Sequence, residues 1–437
     1  MKTHDTVTPS PAELQVIIDR LLAARACVWQ HRPLHSVLAS LAATAAVFLD
    51  PTSQARGEVE ALLPAETGLS PAMIHHVLPL LFQEYCAERL AALVHEELGD
   101  PDILDTFVPA LGSQRKAYSP ALITQVLAGN LPGAGLDSVI FALLVKAATL
   151  VKASSLAPSL PLIFARTLAD IDPDLGACLA VVSWAGGQAA LEEIAYARAD
   201  IVLASGADES LAAIQRRVRG RFIGYGHKVS FSVIARERLG DAAELARQAA
   251  YDVVLFDQRG CLSPQLVYVE AGGAVSPGEF AALLAHALEQ WQTVLPRGAI
   301  PAEASVAIRR VRDETEWQAL AGKETTLYAS AQGTEWTVIY EADPRFVPSP
   351  LYRTVRVKPF STLAQLKDAI MPWRAHLEAA GVAAGPARLR EIADMLGQVG
   401  VSRIARIGTM QIPPLSWRHG GRPRLADLVR WVTLEEA

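Results

Sequence analysis

Apolar residues recur every three to four positions through "PAELQVIIDRLLAARACVW" (residues 11–29) and "PAMIHHVLPLLFQEYCAERLAALVHEEL" (71–98). That spacing lines one face of a helix and predicts two amphipathic helices. Between them, "SVLASLAATAAVFL" carries no charge. It falls short of the roughly 20 apolar residues that a bilayer span needs, so it predicts a buried helix. "LDPTSQARG" reads as a loop. From residue 107 the texture changes: short apolar runs ending in small-residue turns ("ALITQVLAGNLPGAG", "LVKASS", "ACLAVVSWAGG", "ADIVLASG") alternate with helical stretches ("LDSVIFALLVKAAT", "LAPSLPLIFARTLADI", "QAALEEIAYA", "ADESLAAIQRR"). "RFIGYGHKVSFSVI" reads strand, turn, strand. Such alternation predicts a parallel α/β sheet, with its turns at the carboxyl ends of the strands, where open α/β sheets bind ligands.

The chain divides accordingly into a helical region (1–106), a nucleotide-binding α/β domain (107–255), a second α/β unit (256–415) and a tail (416–437) with a strand at "RWVTL". The second unit reads as the strand "QLVYVEAGG", helices at "PGEFAALLAHALEQW" and "SVAIRRVRDETEWQAL", strands across 325–360 and a last helical stretch near 363–397.

Bulk properties narrow the class. A chain of 437 residues exceeds what one core usually organises. Its net charge of −6 gives no reason to expect nucleic acid or an anionic membrane as partner. The start "MKTHDTVTPSPAEL" lacks the basic and apolar blocks of a signal peptide, so a cytoplasmic protein with no membrane span is expected. Cys27, Cys86, Cys178 and Cys261 are scattered without metal-ligand spacing, which predicts free thiols and no metal. The first three sit in apolar text and read as core. Cys261 follows an Asp-Gln-Arg-Gly turn and precedes an apolar strand; from spacing alone it is either a core thiol or a nucleophile.

No glycine-rich dinucleotide fingerprint or P-loop is present, so any phosphate must be held otherwise. The turn "LASGADESLAAI" opens a helix whose free N–H groups favour an anion, although Asp208 or Glu209 can equally cap that helix. Lys152 ends a strand beside the expected crevice and Asn130 sits in a Gly/Pro turn; both also read as ordinary surface or turn residues. His227, Lys228 and His419 read as solvated turn residues or as charged neighbours of a site.

In order, "AGNLPGAG", "LLVKAATLVKASS", "ADIVLASGADES", "GYGHKVSFSVI" and "DQRGCLSPQ", with the closing "GVSRIARIGTMQIPPLSWRHGGRPRLADLVRWVTLE", resemble the aldehyde dehydrogenase superfamily and, within it, the acyl-CoA reductases of the LuxC type. The resemblance spans residues 107–437. It implies an aldehyde dehydrogenase-like fold: a Rossmann-like nucleotide-binding domain, an α/β catalytic domain and a small oligomerisation ribbon beside the helical N-terminal region. It implies NADPH-dependent reduction of an acyl thioester to the aldehyde through a thioacyl-cysteine. Cys261 falls on the nucleophile, and Asn130 on the amide that completes the oxyanion hole with the cysteine N–H. Lys152 falls on the lysine that binds the adenosine ribose. Gly206 and Ala207 open the turn beside the cofactor phosphates. Ser349 stands where a glutamate would hold the nicotinamide ribose, and Ser155 where a carboxylate would select NAD, which favours NADPH over NADH. Gly224 replaces the glutamate that activates water in hydrolytic members.

The resemblance further implies acyl-CoA or an acyl carrier protein thioester as donor, with coenzyme A as leaving group. It implies a homodimer or homotetramer in which "SQRKAYSP" and "RWVTL" pair across subunits, and an acyl-transferring partner enzyme. A hydrolytic aldehyde dehydrogenase and an inactive scaffold of this fold are the alternatives; Gly224 disfavours the first, and retention of Cys261, Asn130 and Lys152 the second.

Overall fold

The computed structural model describes residues 8–29, 32–129 and 131–435. The helix Pro11–Val28 starts at Ser10, whose Oγ accepts from the Glu13 N–H at 3.3 Å while the Glu13 carboxylate accepts from the Ser10 N–H at 2.7 Å. Each side chain thus satisfies an otherwise unpaired N–H. Leu14, Ile18 and Leu21, one helical face, pack with Leu122 and Leu150 of the first sheet and with Trp184, just beyond one of its strands. The loop expected at 49–57 ends early: Ser53 accepts from the Arg56 N–H at 3.2 Å and caps the helix Gln54–Thr67. The long helix expected over 71–98 is two, Pro71–Phe82 and Ala87–Leu98. Tyr85 turns into the core at the break, and the second helix folds back on Leu34–Leu49 instead of running on into solvent.

Five parallel strands form the first sheet, in the order Leu179–Ser183, Ala148–Ala153, Leu122–Val126, Ile201–Ser205, Arg221–Tyr225. The chain starts in the middle and winds outward both ways, so the crevice of a doubly wound sheet opens at the carboxyl ends of Leu122–Val126 and Ile201–Ser205. The second sheet has seven strands: Thr325–Ala329, Thr337–Glu341, Thr354–Phe360, Pro264–Glu270, Val229–Ile234, Leu377–Ala383 and Arg403–Arg406, parallel except for the first pair.

Two expectations are corrected here. Val229–Ile234 belongs to the second sheet, so the sheets part at residues 226–228 and not at 255; the turn "GHK" crosses between units. The helical stretch near 363–397 contains the strand Leu377–Ala383. Its alanine-rich text favours helix by propensity, but every residue of it is buried between two neighbouring strands, and that context overrides propensity.

Val108–Ala110, Ser113–Tyr118 and Arg430–Glu435 make a third, antiparallel sheet. Arg430 lies opposite Tyr118 and Glu435 opposite Ser113. The two segments expected to pair across subunits therefore pair with each other within one chain. Among the described residues no single helix is long and apolar enough to cross a membrane.

Candidate active site

Two left-handed turns seat Cys261. After the helix Ala242–Val254, Phe256, Asp257 and Gln258 adopt φ of 55°, 52° and 63°; Leu351, Tyr352 and Arg353 adopt 67°, 52° and 64°. Left-handed backbone costs a non-glycine residue roughly 1–2 kcal/mol, so it persists where side chains hold it. Gln258 does so by donating to the carbonyls of Pro264 (2.9 Å) and Thr354 (2.8 Å) and accepting from the Thr354 N–H (2.8 Å). The buried Asp257 carboxylate accepts from Arg353 Nε at 2.9 Å and ties one turn to the other. Beyond them the Gly260 N–H donates to Ser263 Oγ at 3.1 Å, and Gln411 donates to the same oxygen. The Ser230 hydroxyl donates to the Cys261 carbonyl at 2.6 Å.

Cys261 lies half-buried on a cavity of about 190 Å³. Leu80, Leu81 and Tyr85 from the helical region, Leu131 and Gly133 from the Gly/Pro turn, and Leu415 from the closing loop share this lining. The N-terminal helices thus help wall the cysteine's cavity, a role not read from the sequence. Burial pushes the Cys261 thiol up to about 12; the charges of Glu378 and Asp137 push the same way, while its own N–H and that of Leu262 oppose them.

The expected cationic helpers are not what surrounds it. His227 is exposed, with its ring 6.2 Å from that of His376, and Lys228 donates to the Ala375 carbonyl at 3.0 Å. The closing loop contributes instead. His419 is no solvated turn residue: its ring stacks on Tyr225 at 4.2 Å and lies 4.7 Å from Trp417. Burial lowers its pKa, with the charge of Glu378 opposing. Arg424 pairs with Asp137 and lies over the Phe141 ring at 4.5 Å. Arg403 is pushed down to about 10 by burial and donates to the Met410 carbonyl at 2.5 Å. Glu378, Asp137 and Arg403 were not singled out from the sequence. The closing "WRHGGRPR" motif was the one signal that pointed to this loop.

At the crevice of the five-stranded sheet, Lys152 is half-buried, and its ammonium has no hydrogen-bond or ion-pair partner among the described residues. Burial lowers its pKa. Ser155 is exposed. A β-carbon on Gly206 would meet nothing within 4 Å, so the turn stands open in front of the helix Asp208–Gln215, and Ala207 caps that helix without a side-chain bond. An unpaired cation at the strand ends and an open turn before a helix fit a dinucleotide with phosphates.

Ser349 does not join them. It is buried, its hydroxyl donates to the Thr354 carbonyl and accepts from the Leu351 N–H at 3.0 Å, and its own N–H donates to Gln265 at 3.1 Å. These internal bonds correct its expected ribose role. Asn130 lies outside the described residues. A β-carbon at Gly224 would meet Phe222 at 2.8 Å and Leu211 at 3.5 Å, so this position points at the helix Asp208–Gln215, while the next residue, Tyr225, stacks on His419.

The sequence pattern of the acyl-CoA reductase (LuxC) family matches residues 30–431. The chain belongs to this family. As a LuxC-family acyl reductase it is an oxidoreductase. It is 25% identical over 358 residues to the long-chain acyl-protein thioester reductase of Aliivibrio fischeri, covering 78% of this chain and 70% of the relative. With the corresponding protein of Vibrio harveyi it shares 24% over 385 residues, 84% of this chain and 76% of the relative. Solved aldehyde dehydrogenases share the fold. Aldehyde dehydrogenase 21 of Physcomitrella patens superposes with a TM-score of 0.74 at 14% identity, over 98% of this chain and 91% of that one. Aldehyde dehydrogenase C of Pseudomonas syringae, solved with NAD+ and octanal, gives 0.72 at 15% identity, over 98% and 90%.

Proposed function

We propose that this LuxC-family reductase converts a long-chain acyl thioester to the aldehyde through a thioacyl intermediate on Cys261, with NADPH preferred over NADH. The position of Cys261 carries the reading: a half-buried thiol on a turn locked from both sides, at a cavity lined by Leu80, Leu81, Leu131 and Leu415. An apolar wall suits an acyl chain, and a thiol nucleophile suits thioester exchange, because sulfur attacks readily and leaves readily. Cys261 takes the acyl group while the donor thiol (coenzyme A, a carrier protein or a partner enzyme that delivers the chain) departs. The Cys261 N–H, with the Asn130 amide, stabilises the oxyanion. Lys152 and the Gly206–Ala207 turn would hold the dinucleotide, with Ser155 beside the adenosine ribose. The bound nicotinamide supplies the hydride. With no carboxylate at Gly224 to activate water, the acyl group leaves as aldehyde and not as acid.

The test is incubation with a radiolabelled long-chain acyl-CoA without cofactor, followed by addition of NADPH. Label should appear on the wild-type protein, be absent from Cys261→Ala, and leave as aldehyde when NADPH is added. Label retained by Cys261→Ala, or released as fatty acid, overturns the proposal.

A further inference from the structure

We propose that Glu378 is the general base that takes the proton of Cys261 during acyl transfer, placed on the cysteine's side of the second sheet by a β-bulge. The inference rests on Cys261 being the acyl carrier. Along the strand Leu377–Ala383, Ala380 and Val382 belong to one core with Phe231 and Leu366, and Leu377 joins them there. Ala379 packs instead with Leu262, Met410 and Cys261, and a β-carbon on Gly381 would meet Met410 Sδ at 2.6 Å. Strict alternation backward from Ala379 would put Leu377 on the cysteine's side and Glu378 on the other. It does not, because the ladder shifts here: Leu377 pairs with Val229, Ala380 with Phe231, and two residues stand opposite the single Ser230. Such a bulge re-aims a side chain, and bulges concentrate next to active sites. Glu378 and Ala379 therefore both face the cysteine. The serine opposite them joins the two segments: its Oγ accepts from the Ala379 N–H at 3.1 Å and donates to the Cys261 carbonyl at 2.6 Å.

The carboxylate is held at one end and bare at the other. Oε1 accepts from Ser402 Oγ at 2.6 Å and from the Gly420 N–H, next to His419, at 3.0 Å. Oε2 is buried and has no hydrogen-bond partner among the described residues. A buried carboxylate oxygen left unpaired is costly, and it stands free to accept a proton. Asp137, the other nearby carboxylate, is already paired with Arg424. The charged and titratable groups around Glu378 are Cys261 on its turn, Arg403 on the next strand, His419 and Arg424 on the closing loop, Asp137 on the helix Leu136–Leu144 and Lys228 before Val229.

The proton balance closes without a cofactor. Glu378 accepts the Cys261 proton as the new sulfur–carbon bond forms. The donor's sulfur–carbon bond breaks, and the departing thiolate takes the proton back from Glu378. Both thiols are accounted for, and the carboxylate is regenerated.

The experiment measures acyl transfer from radiolabelled acyl-CoA in the absence of cofactor, across pH 6–10, on the wild type and Glu378→Gln, with melting temperature as the fold check. General-base assistance contributes about 100-fold or more. The expected result is a wild-type rate that reaches a plateau within this range, and a Glu378→Gln rate at least about 100-fold lower at pH 7 that climbs tenfold per pH unit as hydroxide does the work. A neighbour that merely adds negative charge gives the opposite sign, since removing it eases thiolate formation. An unchanged or faster Glu378→Gln rate at pH 7 overturns the proposal. Should Glu378→Gln not fold, the wild-type profile decides alone: a tenfold climb per unit through pH 10, with no plateau, also overturns it. Label missing from wild-type Cys261 removes the underlying acyl-enzyme reading, and label present with Glu378→Gln unimpaired removes this inference only.

Discussion

Replacing Arg353 by methionine should destabilise the protein strongly and loosen the cysteine's seat. Arg353 and Asp257 are 1% and 2% exposed, so neither charge has water to fall back on. The arginine donates to Asp257 at 2.9 Å, to Gln292 at 2.8 Å and to the Leu295 carbonyl at 2.8 Å. Methionine fills a similar volume but leaves the Asp257 carboxylate with only the Gly298 N–H, at 3.0 Å, as hydrogen-bond donor among the described residues. Breaking one side of a buried pair typically costs about 3–5 kcal/mol. Each kcal/mol lowers the melting temperature by roughly 2–4 °C in domains of 150–250 residues, so a drop of about 6 °C or more is expected. Asp257→Asn combined with Arg353→Met removes both charges and should recover more than half of that loss. Differential scanning calorimetry on the wild type, both single variants and the double variant completes the cycle. The same four proteins, treated with iodoacetamide at pH 8, report the seat: the single variants should alkylate at Cys261 faster, because the turn no longer holds its left-handed backbone. A melting shift under about 1 °C for Arg353→Met, or a double variant less stable than either single one, would refute the account of a charge pair bracing two strained turns.

Other consequences are simpler to check. A thiol pushed up to about 12, against about 8.5 for a free cysteine, carries roughly one three-thousandth of the thiolate at pH 7. Cys261 in the resting enzyme should therefore alkylate at least about 100-fold more slowly than a peptide thiol, and its rate should still be rising at pH 10. A reactive cysteine at pH 7 contradicts the buried, negatively charged surroundings. Ser155→Glu places a carboxylate near the expected adenosine ribose; two unit charges about 4 Å apart interact by roughly 4 kcal/mol at an effective dielectric near 20. The ratio of kcat/KM for NADPH over NADH should fall at least tenfold, and an unchanged ratio removes Ser155 from the cofactor site. Leu81→Trp should crowd the cavity of about 190 Å³ and shift the preferred acyl donor to shorter chains; an unaltered chain-length profile would move the acyl site elsewhere.

Much of the fold was legible because the two periods differ. Leu14, Ile18 and Leu21 repeat as a helix face, and "ADIVLASG" and "QLVYVEAGG" end in turns as strands do. The breaks were harder to read. Nothing local in "LLFQEYCAERL" says that the helix stops, since the stop comes from Tyr85 entering a core built by other segments. The strand at Leu377–Ala383 was hidden for a related reason: its alanines favour helix, and its extended form comes from neighbours on both sides that the local text does not show. The change of sheet after Tyr225 was equally hidden, because a short turn joining two strands looks the same whether or not they share a sheet.

The site was legible only where a single position carries the signal. Cys261 and Lys152 stand beside readable turns, and the structure sets Cys261 on a cavity and leaves the Lys152 ammonium without a partner among the described residues, whereas the Ser349 hydroxyl is consumed by its own loop. Glu378 could not be read at all, because its direction depends on a pairing register. In "HLEAAGVA" a glutamate among alanines suggests a solvent-facing helix position. The ladder with Val229–Ile234 sets two residues against one serine and turns the carboxylate inward. That difference bears on the chemistry. A glutamate at position 224 would start from the other sheet, against Phe222 and Leu211. Glu378, on the reading proposed above, approaches the cysteine from the strand whose Ala379 packs with Leu262, Met410 and Cys261. A base held there by Ser402 and the Gly420 N–H, with its other oxygen buried, can exchange a proton with sulfur while offering water little room. On that reading a base for the thiol is kept at the buried bulge, while residue 224, where the resemblance places a water-activating glutamate, is a glycine.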